Sequence, residues 1–212
     1  MVSSKVVGRR DQQHSNIAGA LAAALLAALL CASRPAFAHI VDGSATGGFA
    51  GGFAHPLFGL DHVVAMVAVG LWGAFLGAPA IWLLPITFPI VMAIGGAIAI
   101  LGLPVPGVEI GIALSAIVLG GMIALAARPP LVIAALIVGA FAIFHGHAHG
   151  AELPPGTDAA AFSVGFVMAT GLLHLAGIAF GLLTRWPAGR IGVRVAGIVI
   201  ALVGAVFLSN AL

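Results

Sequence analysis

Two short stretches hold most of the groups in this chain that could do chemistry. His55-Pro56-Leu57-Phe58-Gly59-Leu60-Asp61-His62 heads one apolar segment, and His145-Gly146-His147-Ala148-His149-Gly150-Ala151-Glu152 closes another. Imidazoles and carboxylates are costly in hydrocarbon and seldom stand there without a use. On a helix turning about 100° per residue, a separation of seven brings His55 and His62 onto nearly one face. His145 and His149, four apart, share another face, and Glu152 joins them if the helix runs through Gly150. His147 points to the other side. Asp61 is either a ligand or the acceptor that fixes an imidazole tautomer. His55, Asp61, His62, His145, His149 and Glu152 together make a nitrogen/oxygen donor set. It suits Ni²⁺, Co²⁺, Zn²⁺, Cu²⁺ or Fe²⁺ better than Mg²⁺ or Ca²⁺. The competing reading is a polar seam that only holds helices together. Two tight clusters with acids beside them favour metal handling.

The elements that carry these residues follow from composition. The chain has 212 residues, 62% hydrophobic and 7% charged, with a mean hydropathy of +1.22. Soluble domains sit near 45–50% apolar and about 25% charged, so the expected class is an all-α integral membrane protein. Lys5, Arg9 and Arg10, then an apolar run from Ile17 to Leu30, then Ala36-Phe37-Ala38, read as a cleavable signal peptide over 1–38. His14 and the single cysteine, Cys31, fall in that leader. Cleavage would expose His39 as an α-amine beside an imidazole, with Asp42 three residues on, a possible collecting site for metal. A Gly-rich periplasmic segment, 39–52, follows, too flexible to pack as a helix by itself. The membrane domain, 53–212, divides into a six-helix bundle with spans near 53–76, 80–102, 108–127, 131–150, 159–183 and 191–211.

Pro56 suits a helix's first turn, and Gly59 leaves room on the helix surface. Pro85 and Pro89 should kink the second span, a kink being favoured over a broken helix. His174, alone in the fifth span, reads as an interhelical hydrogen-bonding group or a transit ligand. With the N-terminus outside, Arg128, Arg185, Arg190 and Arg194 all fall on the cytoplasmic side, as the positive-inside rule asks. The basic pI of about 9.5 carries no basic run beyond the leader, so nucleic acid is not an expected partner.

His55-Pro-x-x-Gly59-x-Asp61-His62 and Phe144-His145-Gly146-x-Ala148-His149-Gly150-x-Glu152 resemble the two signature motifs of the HupE/UreJ family, membrane proteins tied to hydrogenase and urease. The resemblance implies a nickel or cobalt permease of the bacterial inner (plasma) membrane, and not an enzyme. Its function would be secondary, ATP-independent import of Ni²⁺ or Co²⁺, with the ion as substrate, the bilayer as surroundings and no tightly bound cofactor. The absence of a P-loop agrees. The alternative is a membrane-embedded His/carboxylate metalloenzyme, with Asp61 or Glu152 as base. Neutral imidazoles bind metal, so uptake should fall as pH drops through about 6.5.

Overall fold

The computed structural model describes residues 48–153 and 156–212, and those residues form helices with no strand. The expected leader and cleavage site, with His39 and Asp42, fall on residues outside those described. In chain order the helices are α1 (Phe49–Phe58), α2 (Leu60–Leu76), α3 (Ala80–Ile100), α4 (Val108–Ala124), α5 (Leu131–Ala151), α6 (Ala159–Gly181) and α7 (Pro187–Ala211). A 3₁₀ turn, Leu182–Arg185, leads from α6 toward α7. The helices α3, α5, α7, and α6 with its 3₁₀ turn are long and apolar enough to cross a membrane. Their outward faces carry Ile, Leu and Val side chains exposed on the protein surface, the pattern of a lipid-facing surface.

The first expected span is different. The straight helix over 53–76 is two helices bent by 82° at Gly59. Pro56 lies in the last turn of α1, not in a first turn. It offers no N–H to continue the ladder, and Gly59 then takes an extended conformation that restarts the helix as α2. The Gly-rich segment also needs correction, since residues 49–52 are the first turn of α1. Gly52 lies under the Phe162 carbonyl and Gly165 under that of Phe49, so α1 packs on α6 where a β-carbon would not fit. The six straight spans thus become four full-length helices, a bent pair and α4. At 17 residues, α4 rises about 26 Å, slightly less than the hydrocarbon thickness of ~30 Å.

α2 is the central helix. Met66, Ala68, Val69 and Trp72 are fully buried, and α2 touches α3, α4, α6 and α7. Three pairs fasten the bundle: α3 with α5, α4 with α7, and α2 with α6. Each meets through glycine. Gly146 and Gly150 of α5 approach the carbonyls of Met92 and Gly96, and Gly70 of α2 approaches that of His174. Small residues at such contacts bring backbones close enough for dispersion to hold helices that lipid would otherwise solvate equally well. α3 runs unbroken through Pro85 and Pro89, so neither proline splits the span.

Candidate metal centre

The bend at Gly59 and the end of α5 build the centre. α1 brings His55, the first turn of α2 brings Asp61 and His62, and the last turns of α5 bring His145 and His149. The His55 ring centroid is 5.9 Å from that of His62 and 4.9 Å from that of His149. The His62 ring lies 4.3 Å from His149 and 5.2 Å from His145. Four imidazoles from three helices therefore form one contiguous group. His55 and His62 meet across the bend, not along the face of a single helix. α5 does continue through Gly150, and Glu152 caps it, its N–H bonded to the Ala148 carbonyl. The Glu152 carboxylate reaches within 3.8 Å of His55 Nε2.

The six expected site residues separate by depth and role. His55, His149 and Glu152 each offer a donor atom within 4.8 Å of the others. His55 and Glu152 are accessible, whereas His62, His145 and His149 are buried. Asp61 Oδ1 accepts from His62 Nδ1 at 2.7 Å and from the His62 main-chain N–H at 2.9 Å. With Nδ1–H donated to that carboxylate, the His62 lone pair sits on Nε2, which has no partner among the described residues. Asp61 is placed to orient His62, the second of the two roles its position allowed. Gly59 makes this pairing possible: a β-carbon there would stand 2.9 Å from His62 Nδ1 and 3.1 Å from Asp61 Oδ1. Its room serves the Asp61–His62 pair.

Ser115, on α4, was missed as a site-supporting residue. Its hydroxyl donates to the Ile112 carbonyl at 2.6 Å and stands 3.0 Å from His145 Nε2. With its proton spent on Ile112, Ser115 accepts from His145 Nε2–H. That leaves the lone pair on His145 Nδ1, again without a partner among the described residues. An isolated serine in an apolar span offers no sequence signal of this; only packing brings α4 to α5. His149 has both ring nitrogens buried without partners among the described residues. A buried polar atom left unmade costs about 1–3 kcal/mol. Several such atoms, on His62, His145 and His149, lie together at this one place.

Other polar groups have structural duties. His147 turns away and meets the Leu103 carbonyl at 3.0 Å, tying α5 to the turn after α3. Asp158 caps α6, accepting from the N–H groups of Ala160 and Ala161 at 3.0 Å. Phe166 closes one side of the centre, 4.3 Å from His149. A cavity of about 200 Å³ between α3, α5 and α6 reaches His149. At the accessible side, partial burial raises the Glu152 carboxyl above its ordinary value, and the charges of Glu109 and Asp61 add to the rise.

These features define an all-helical, multi-pass membrane protein with a histidine–carboxylate centre at one end. The model of the HupE / UreJ protein family matches residues 26–207, and the chain belongs to that family. Over 174 residues it is 45% identical to Protein HupE of Rhizobium leguminosarum bv. viciae, covering 82% of this chain and 91% of that protein. No solved structure matches.

Proposed function

We propose that this chain imports Ni²⁺, or Co²⁺, across the bacterial inner membrane without ATP, supplying hydrogenase or urease maturation. Family membership supports the coarser part, a role in hydrogenase- or urease-associated nickel/cobalt transport. The observation that carries the finer part is the joined set of four imidazoles, three of them with buried ring nitrogens that have no partner among the described residues, open to one side through His55 and Glu152. Imidazole with carboxylate is a borderline donor set that takes Ni²⁺ and Co²⁺. His55, His149 and Glu152 receive the ion, and His62 and His145, held in position by Asp61 and Ser115, take it deeper. The end that holds the histidines faces the periplasm, because the arginines gather at the opposite end. Arg194 bonds the Ala124 carbonyl there and Arg128 lies over Phe75. His39 and Asp42 would add a collecting site ahead of α1.

The test is ⁶³Ni²⁺ accumulation in cells lacking other nickel permeases. Expression of the chain raises accumulation, and His149→Ala or His62→Ala returns it to background with protein still in the membrane. Accumulation that expression leaves unchanged would sink the proposal.

A further inference from the structure

Below the four-histidine centre, two buried polar side chains on α6 have no work in it. His174 is 2% exposed and Thr170 is wholly buried. Four residues apart on one helix, they lie on the same face about one turn from each other. Their polar atoms, His174 Nε2 and Thr170 Oγ1, have no hydrogen-bond partner among the described residues. Ser115, Ser163, Thr184 and Ser209 all donate to a carbonyl of the preceding turn, the usual resort of a helical hydroxyl. Thr170 does not.

The orientation of His174 has a traceable cause. In an α-helix the N–H of residue 89 would bond the carbonyl of residue 85, but residue 89 is proline and has no N–H. The Pro85 carbonyl is left without its helical donor, and the His174 ring lies beside it. Nε2 is the ring nitrogen that is buried without a partner among the described residues. In the tautomer that carries its proton on Nδ1, the lone pair of His174 lies on Nε2, the same arrangement as in His62. The Phe88 ring connects the two levels, 5.5 Å from His145 on one side and 5.7 Å from His174 on the other. The His174 carbonyl packs against Gly70, ten residues into α2 and so about 15 Å below its first turn. That is near the middle of a hydrocarbon layer ~30 Å thick, where a dication without ligands is most costly.

We propose that His174 Nε2 and Thr170 Oγ1 form a second, deeper station for the same class of borderline divalent cation, separated from the four-histidine centre by the Phe88 ring. This rests on the transport reading of the upper centre and adds a second stop to it. One imidazole and one hydroxyl, completed by water, bind weakly, which suits an ion that must leave again.

The experiment uses the full chain in proteoliposomes, with Ni²⁺ as the probe, and measures equilibrium binding and ⁶³Ni²⁺ influx separately. His174→Asn keeps a donor where Nδ1 stands and deletes the Nε2 lone pair. Thr170→Val keeps the shape and deletes the hydroxyl. Both variants should bind Ni²⁺ at the upper centre as the unmodified chain does, while influx falls about tenfold, the effect of one lost stabilising interaction on a barrier. Thr170→Val should also melt no lower, because a buried hydroxyl without a partner contributes nothing to folding. Unchanged influx in both variants overturns the deeper station and leaves the upper centre standing. An unmodified chain that neither binds nor moves Ni²⁺ overturns both readings together.

Discussion

At the scale of single residues, the donors matter less than what aims them. Asp61 and Ser115 each fix one imidazole by taking its N–H, so that the opposite nitrogen keeps its lone pair. Loss of such an orienting partner typically costs 10–100-fold in metal affinity. Asp61→Asn and Ser115→Ala should each weaken Ni²⁺ binding by about that factor with the helices intact, read by isothermal titration beside circular dichroism. Wild-type affinity in Asp61→Asn would instead make the carboxylate dispensable. Glu152 supplies a pH handle. Its carboxyl is raised, so it takes up a proton, and loses its negative charge, at a higher pH than an ordinary glutamate. Metal binding that uses the carboxylate is therefore full well above that raised value and declines as pH falls through it. Glu152→Gln should bind more weakly at neutral pH and show a shallower loss on acidification, measured as Co²⁺ absorbance against pH.

At the scale of elements, the sequence made the two histidine stretches and the helical segments readable, because polar groups in apolar runs are conspicuous. Three other features were not readable. The break at Gly59 depends on Pro56 ending a helix, and the same proline is equally at home beginning one. The first turn of α1 looks like linker because Phe49-Ala50-Gly51-Gly52 has poor helix propensity; contact with Gly165 and Phe162 on α6 overrides that preference. The role of Ser115 depends on which helices become neighbours, which periodicity does not encode. The bend yields a prediction of its own. Gly59→Ala places a methyl group against the Asp61–His62 pair and should abolish nickel accumulation while leaving the protein in the membrane. Gly146→Val, by contrast, pushes α5 away from the Met92 carbonyl and should lower the melting temperature of the purified chain; an unaltered melting curve would argue against close α3–α5 packing.

At the scale of the whole molecule, polarity is separated along the bundle. The histidine centre, Glu109 and Glu152 occupy one end, and Arg128, Arg185, Arg190 and Arg194 the other. A negative mouth raises the local concentration of cations before any ligand is reached. If that end is periplasmic, alkaline phosphatase fused after Val105 should be active and the same enzyme fused after Pro129 inactive; the reverse pattern would invert the proposed direction of transport.

The arginines also make contacts within the bundle, which bears on any experiment that moves them. Arg194 Nε donates to the Ala124 carbonyl at 2.8 Å and Arg190 Nε to the Thr184 carbonyl at 3.0 Å. Arg128 and Arg185 lie 4.6 and 4.4 Å over the rings of Phe75 and Trp186. The arginines that the positive-inside rule would use to orient the chain are thus also ones that make contacts at helix ends. Moving these charges to invert the protein would also remove these contacts, so topology and helix-end packing change together at Arg128, Arg190 and Arg194. Their substitution is better judged by whether any protein survives than by which side it faces.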